Sequence, residues 1–185
     1  GDFAFDTGLL VSDTNEAYII NCAGKEWAAK KVKDVYAISN RYQIEDDWDL
    51  SSFNKESGEK QNFNELFEDT SKSNGVCASD RENRAQQILE QRKGNISLSD
   101  MADIMRDVGD DPDNYEPDKA ELKQNFICMH AKPHPDAFWH ATGAMITDSN
   151  EEGIIVWMTG TAANDLSIFK PLFFNMPLPN QLKYL

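Results

Sequence analysis

Cysteine is scarce in this chain: Cys22, Cys77 and Cys128 are the three in 185 residues. Three scattered thiols exclude a disulfide framework, and the odd count leaves at least one unpaired within the chain. A reducing, cytoplasmic setting is the expectation. Positive charge is also short, with Lys+Arg 18 against Asp+Glu 32 and a formal charge of −14. That balance repels phosphate backbones and anionic lipid, and no local basic cluster reverses it, so neither nucleic acid nor a membrane surface is an expected partner. No apolar run nears the roughly 20 residues that span a bilayer, and the start carries neither the basic patch nor the apolar core of a signal peptide. Internal repeats and low-complexity tracts are lacking as well.

The apolar fraction is 40%, at the low end of globular usage, and 185 residues are enough to bury one core. One α+β domain over residues 1–185 is expected. Within it, Phe3, Phe5, Leu9 and Val11 alternate with smaller or polar residues. Asp13-Thr14-Asn15 supplies turn chemistry before the apolar run Ala17 to Cys22, which predicts a β-hairpin. Val35 to Ser39 is rich in strand formers, so three or four adjacent strands are expected across residues 1–40.

Residues 41–78 are polar and acidic. Only Phe63, Leu66 and Phe67 mark a short amphipathic helix, and a connection of this length reads as a lid or insertion, with Trp48 as its aromatic. Ser79-Asp80-Arg81-Glu82 has the pattern of a capping box, which predicts a helix from there to Arg92, stopped by Gly94. A second helix is expected from Ser97 or Ser99 to Gly109, with Leu98, Met101, Ile104, Met105 and Val108 on one face. After an acidic loop punctuated by Pro112 and Pro117, the runs Phe126 to His130, Ala141 to Thr147 and Ile154 to Thr159 predict a second set of strands within residues 126–175.

Two metal readings fail on spacing. Cys128, His130, His134 and His140, with Asp136 nearby, match no closed structural zinc site, because Pro133 and Pro135 interrupt the segment. Asp110-Asp111-Pro112-Asp113-Asn114 lacks the glycine and glutamate that a calcium loop needs. No metal and no cofactor are expected. Asn95-Ile96-Ser97 fits the glycosylation triplet, but nothing in the composition argues for secretion.

One long stretch carries more information than any short motif. Asn15-Glu16-Ala17-Tyr18-Ile19-Ile20-Asn21-Cys22-Ala23-Gly24-Lys25-Glu26-Trp27-Ala28-Ala29-Lys30, followed by Val35-Tyr36-Ala37-Ile38-Ser39-Asn40, resembles the secernin and dipeptidase branch of the N-terminal-nucleophile hydrolases. The resemblance resumes at Phe126-Ile127-Cys128-Met129-His130, Thr142-Gly143-Ala144-Met145-Ile146, Val156 to Thr161 and Ser167 to Pro171. It is weakest over Ser51 to Gly75 and Asp110 to Glu121. It implies the four-layer αββα sandwich of that family, here in part, built from antiparallel sheets and a helical pair.

The resemblance also implies a chemistry. In that family a cysteine at the mature amino terminus attacks an amide carbonyl, and its own α-amine, titrating near ~8, serves as base. This chain opens with Gly1-Asp2-Phe3, so a preceding segment or a partner chain is expected to carry the nucleophile. Cys22 and Cys128 read as buried apolar residues in strands, and no internal cysteine can copy the terminal amine.

Two catalytic residues follow from the resemblance, Asn40 and Arg81. Asn40 stands where related bile-salt hydrolases and penicillin acylases place an asparagine whose amide donates to the oxyanion, a donor worth ~3 kcal/mol when aimed at developing charge. Arg81, rather than Arg84, matches the arginine that holds the cysteine as thiolate. Their spacing would put both arginines on one helix face.

The expected function is a cysteine-dependent amidohydrolase or dipeptidase acting on a small peptide or amide. The alternatives are a scaffold that kept the fold without hydrolysis and an acyltransferase using the same acyl-enzyme. Uncovered sheet edges would favour a homo-oligomer.

Overall fold

A computed structural model of the chain describes residues 8–53, 58–71, 77–116, 126–130, 140–151 and 153–173. Among them the architecture is α+β, with two antiparallel sheets and a helical pair.

The first sheet has the order β1-β2-β3-β4, formed by β1 (Gly8–Ser12), β2 (Ala17–Ala23), β3 (Glu26–Val32) and β4 (Leu50–Ser51). Its hairpins are closed by local chemistry. The Asp13 carboxylate accepts from the backbone N–H of Asn15 at 2.7 Å and of Glu16 at 2.9 Å, and Gly24, at φ +65°, turns the chain between β2 and β3. Strand periodicity then sends Ile19 and Asn21 to the buried face, with Cys22 exposed on the other.

The buried face of this sheet packs a core of Ile19, Ala28, Tyr42, Ile44 and Phe63. Phe63 opens α1 (Phe63–Phe67), capped by the Asn62 side chain, and its ring lies 5.2 Å from Tyr42 and 4.7 Å from Phe67. Trp48 belongs to this packing, not to a lid: its ring lies 5.7 Å from Phe53, and its indole N–H donates to the Gln61 carbonyl at 3.0 Å. The described part of the residue 41–78 connection therefore packs against the sheet, and its aromatic residues Trp48, Phe53, Phe63 and Phe67 supply core.

Asn21 is the buried polar residue of the sheet. Its side-chain oxygen accepts from the backbone N–H groups of Gln43 at 2.9 Å and Ile44 at 3.0 Å, and its amide donates to the Gln43 side chain at 3.3 Å. Gln43 in turn donates to the Glu82 carboxylate at 2.9 Å, which ties the sheet to the helical pair. Every one of these groups is satisfied, as burial requires.

The pair comprises α2 (Ala78–Arg92) and α3 (Leu98–Met105), which share a second core of Ala37, Leu89 and Ile104. Gly94, at φ +84°, lets the chain leave α2. Ser97 and Asp100 form the capping box of α3. The expected box at Ser79 is absent: Cys77, at φ 51°, precedes the helix without a side-chain cap, so Ser79 and Glu82 lie inside it. Their side chains are engaged elsewhere, Ser79 by Arg41 at 3.1 Å and Glu82 by Gln43. The second helix stops at Met105, short of Gly109, although Val108 is still buried.

The second sheet has the order β5-β6-β7, from β5 (Met145–Asn150), β6 (Gly153–Met158) and β7 (Lys170–Phe173). β5 begins later than the expected Ala141, β6 matches the expected Ile154 to Thr159 run to within a residue, and Phe126 to His130 is not a strand. That segment is fastened to the end of α3, with the Cys128 N–H donating to the Asp107 carbonyl at 2.9 Å. Val35 to Ser39 is likewise not a strand, since its backbone is met by a helix side chain in place of a neighbouring strand. Phe3 and Phe5 of the predicted hairpin lie outside the described residues. No helix among the described residues is long and apolar enough to cross a membrane.

Candidate functional site

Gln86, in the middle of α2, accepts from the Ala37 N–H at 2.8 Å and donates to the Val35 carbonyl at 3.4 Å. Those two bonds hold the extended Val35 to Ser39 segment along the helix. Asn40, the next residue, reaches the first turns of α2, where the Arg81 Nη1 donates to the Asn40 side-chain oxygen at 3.3 Å. A guanidinium offers only donors, so the amide atom it faces is the oxygen. That contact engages the Asn40 oxygen and not its N–H₂ group.

Both residues are half-buried. Burial pushes Arg81 down from the ordinary guanidinium value, while the neighbouring Cys77 acts in the opposite sense. Thus a carboxamide, a guanidinium and a thiol gather at the start of α2. The two residues expected to act together are in contact, but Asn40 ends no strand.

The two arginines near the start of α2, Arg81 and Arg84, diverge. Arg84 forms a two-pronged ion pair with Asp107, Nε to Oδ2 and Nη2 to Oδ1 both at 2.6 Å, and reaches the exposed Asp110 at 3.0 Å. Hydrogen bonding to Asp107 raises the Arg84 guanidinium further above its ordinary value. This pair joins α2 to the chain beyond α3, a structural task that leaves Arg81 as the arginine facing Asn40.

Asp107 leads to a second group of chemically competent side chains. It accepts from the Ile127 N–H at 3.3 Å through its carboxylate and from the Cys128 N–H at 2.9 Å through its carbonyl. Cys128 is fully buried, and its Sγ lies 3.3 Å from Asp165 Oδ1 and 3.9 Å from His130 Nε2. His130 Nε2 is 3.0 Å from the same Asp165 oxygen. Burial drives the Cys128 thiol up to about 11, opposed by the backbone N–H groups of Asp165 and Asn164.

Asp165 is presented by a braced turn. Ala163, at φ 62°, starts a single 3₁₀ turn over Asn164–Leu166. The Ser167 hydroxyl donates back to the Ala163 carbonyl at 2.9 Å and pairs with the Thr161 hydroxyl at 2.6 Å. Arg106, at the end of α3, donates to the Ser167 carbonyl at 2.9 Å. Beside the group, the Tyr115 ring stands 5.5 Å from His130, and the His140 ring 5.7 Å from it. Burial, with the charges of Asp165 and Cys128, raises the Tyr115 hydroxyl to about 12, and that buried oxygen has no hydrogen-bond partner among the described residues.

Sequence reasoning grouped Cys128 and His130 with Asp136 and did not foresee Asp165. Asp136, like His134, lies outside the described residues, and the carboxylate that meets them is Asp165, 35 positions from His130. No sequence spacing signals that contact. Of the cysteines, Cys128 is buried as expected, though not in a strand, and Cys22 is exposed.

No family model matches this chain, and no solved structure matches it.

Proposed function

We propose that this chain is part of a cysteine-dependent N-terminal-nucleophile amidohydrolase of the secernin-like dipeptidase kind, cleaving a small peptide or amide bond. Two antiparallel sheets and a helical pair are elements that a partial αββα sandwich requires. The observation that carries the reading is the Arg81 to Asn40 hydrogen bond. By holding the amide oxygen, Arg81 sets the Asn40 N–H₂ group as a neutral donor toward a developing oxyanion. The attacking thiolate comes from a segment or partner chain outside this sequence, and the guanidinium favours its charged form. The free α-amine beside that thiol takes its proton at neutral pH.

The test is Asn40→Ala in the complete protein. Loss of one oxyanion donor lowers kcat by roughly 10²-fold, about 3 kcal/mol, with KM little changed. Turnover equal to that of the parent ends the assignment.

A further inference from the structure

We propose that Cys128, His130 and Asp165 bind one divalent cation of the zinc class through Sγ, Nε2 and a carboxylate oxygen. The three donor atoms converge on one point, at mutual distances of 3.0, 3.3 and 3.9 Å. A tetrahedral ion held at about 2.0–2.3 Å from such ligands requires them about 3.3–3.6 Å apart. The cluster therefore reaches metal geometry through side-chain shifts of a few tenths of an ångström.

A catalytic Cys/His/Asp triad is the competing arrangement, and the geometry opposes it. In a triad the imidazole lies between thiol and carboxylate, using one ring nitrogen for each. Here a single nitrogen, Nε2, faces both Sγ and Oδ1, and the thiol approaches the carboxylate more closely than it approaches the ring. That is the disposition of three ligands around a common centre.

The donor set selects the ion. Sulfur and imidazole disfavour calcium and magnesium, which take oxygen ligands, and favour zinc and its borderline neighbours. Binding releases the Cys128 proton to solvent. One thiolate and one carboxylate then cancel the dipositive charge, so the buried site ends neutral. Three protein ligands leave a fourth position for water, and the Tyr115 ring stands 5.5 Å from the His130 ring beside the cluster.

Cobalt(II) titration of the chain carrying Cys22→Ser and Cys77→Ser tests the site, since Cys128 is then the one thiol left. A thiolate-to-cobalt charge-transfer band saturating at one equivalent is expected, with visible bands of tetrahedral intensity, all displaced by zinc. Adding Cys128→Ser removes the charge-transfer band. Asp165→Asn, which keeps the side-chain shape, weakens zinc at least tenfold in a competition assay while the far-ultraviolet circular dichroism is retained. No band in the Cys22/Cys77 background, or zinc affinity unaltered by both Asp165→Asn and His130→Ala, overturns the proposal. These readouts need no turnover, so failure of the hydrolase reading leaves them untouched.

Discussion

The Arg81 guanidinium donates to the Asn40 side-chain oxygen across 3.3 Å, joining residues 41 positions apart. The bond has two separable consequences, orientation of an amide donor and attachment of the Val35 to Ser39 segment to α2. Asn40→Asp separates them. A carboxylate in that position pairs with the guanidinium, so stability stays within about 1 kcal/mol of the parent or rises. The same substitution replaces the N–H₂ donor by negative charge, and turnover of the complete protein falls by roughly 10²-fold or more. Denaturation and steady-state kinetics on one preparation check both parts; a stable Asn40→Asp protein with parental kcat rejects the donor role.

Arg84 and Asp107 form an enclosed ion pair, with side chains 15% and 9% exposed. Removing one partner of such a pair strands the other charge, so Asp107→Ala is expected to cost about 3 kcal/mol. Part of that loss belongs to the Ile127 N–H, which also donates to this carboxylate. Asp110, 95% exposed, contacts the same guanidinium, and Asp110→Ala should cost no more than about 0.5 kcal/mol. Urea denaturation distinguishes the two; equal costs would show that burial does not govern the pair.

Glu82 is pushed up from its ordinary carboxyl value of 4.5 by burial, opposed by the Gln43 hydrogen bond and the Arg41 charge, with Glu68 adding to the rise. The folded protein holds this proton more tightly than the unfolded chain. Its contribution to stability is therefore full below 4.5 and falls as pH climbs through the folded value. Glu82→Gln removes the charge while keeping an oxygen for the Gln43 amide to meet. Relative to the parent, the variant should be equally stable below 4.5 and increasingly more stable toward neutral pH. Thermal melts across that range read the difference directly, and a variant that loses ground as pH rises contradicts the assignment.

The stop of α2, the start of α3 and the first hairpin were legible because their causes are local. Gly94 permits the positive φ that ends α2, Ser97 and Asp100 sit three residues apart and cap α3, and Asp13 accepts from the backbone N–H groups of Asn15 and Glu16. The same local reading failed at Ser79. A serine and glutamate with capping spacing are engaged there by Arg41 and Gln43, and the helix starts earlier, after Cys77. Val35 to Ser39 failed for a related reason. Strand formers make a strand only where another strand offers its backbone, and Gln86 occupies that place.

The site shows the division most sharply. Chain order alone determined which side chains are available: the carboxamide after Ser39, the guanidinium in the opening turns of α2, and a cysteine two residues from a histidine. Tertiary structure decided which of them touch. Asn40 meets Arg81 because Gln86 binds the backbone just before Asn40, and Cys128 and His130 meet Asp165 because the braced Ala163 to Ser167 turn is held by Arg106. Helix caps and turns are enforced by bonds a few residues long, which a linear pattern records. Contacts across tens of residues depend on how sheets and helices pack, and that outcome is a property of the whole chain.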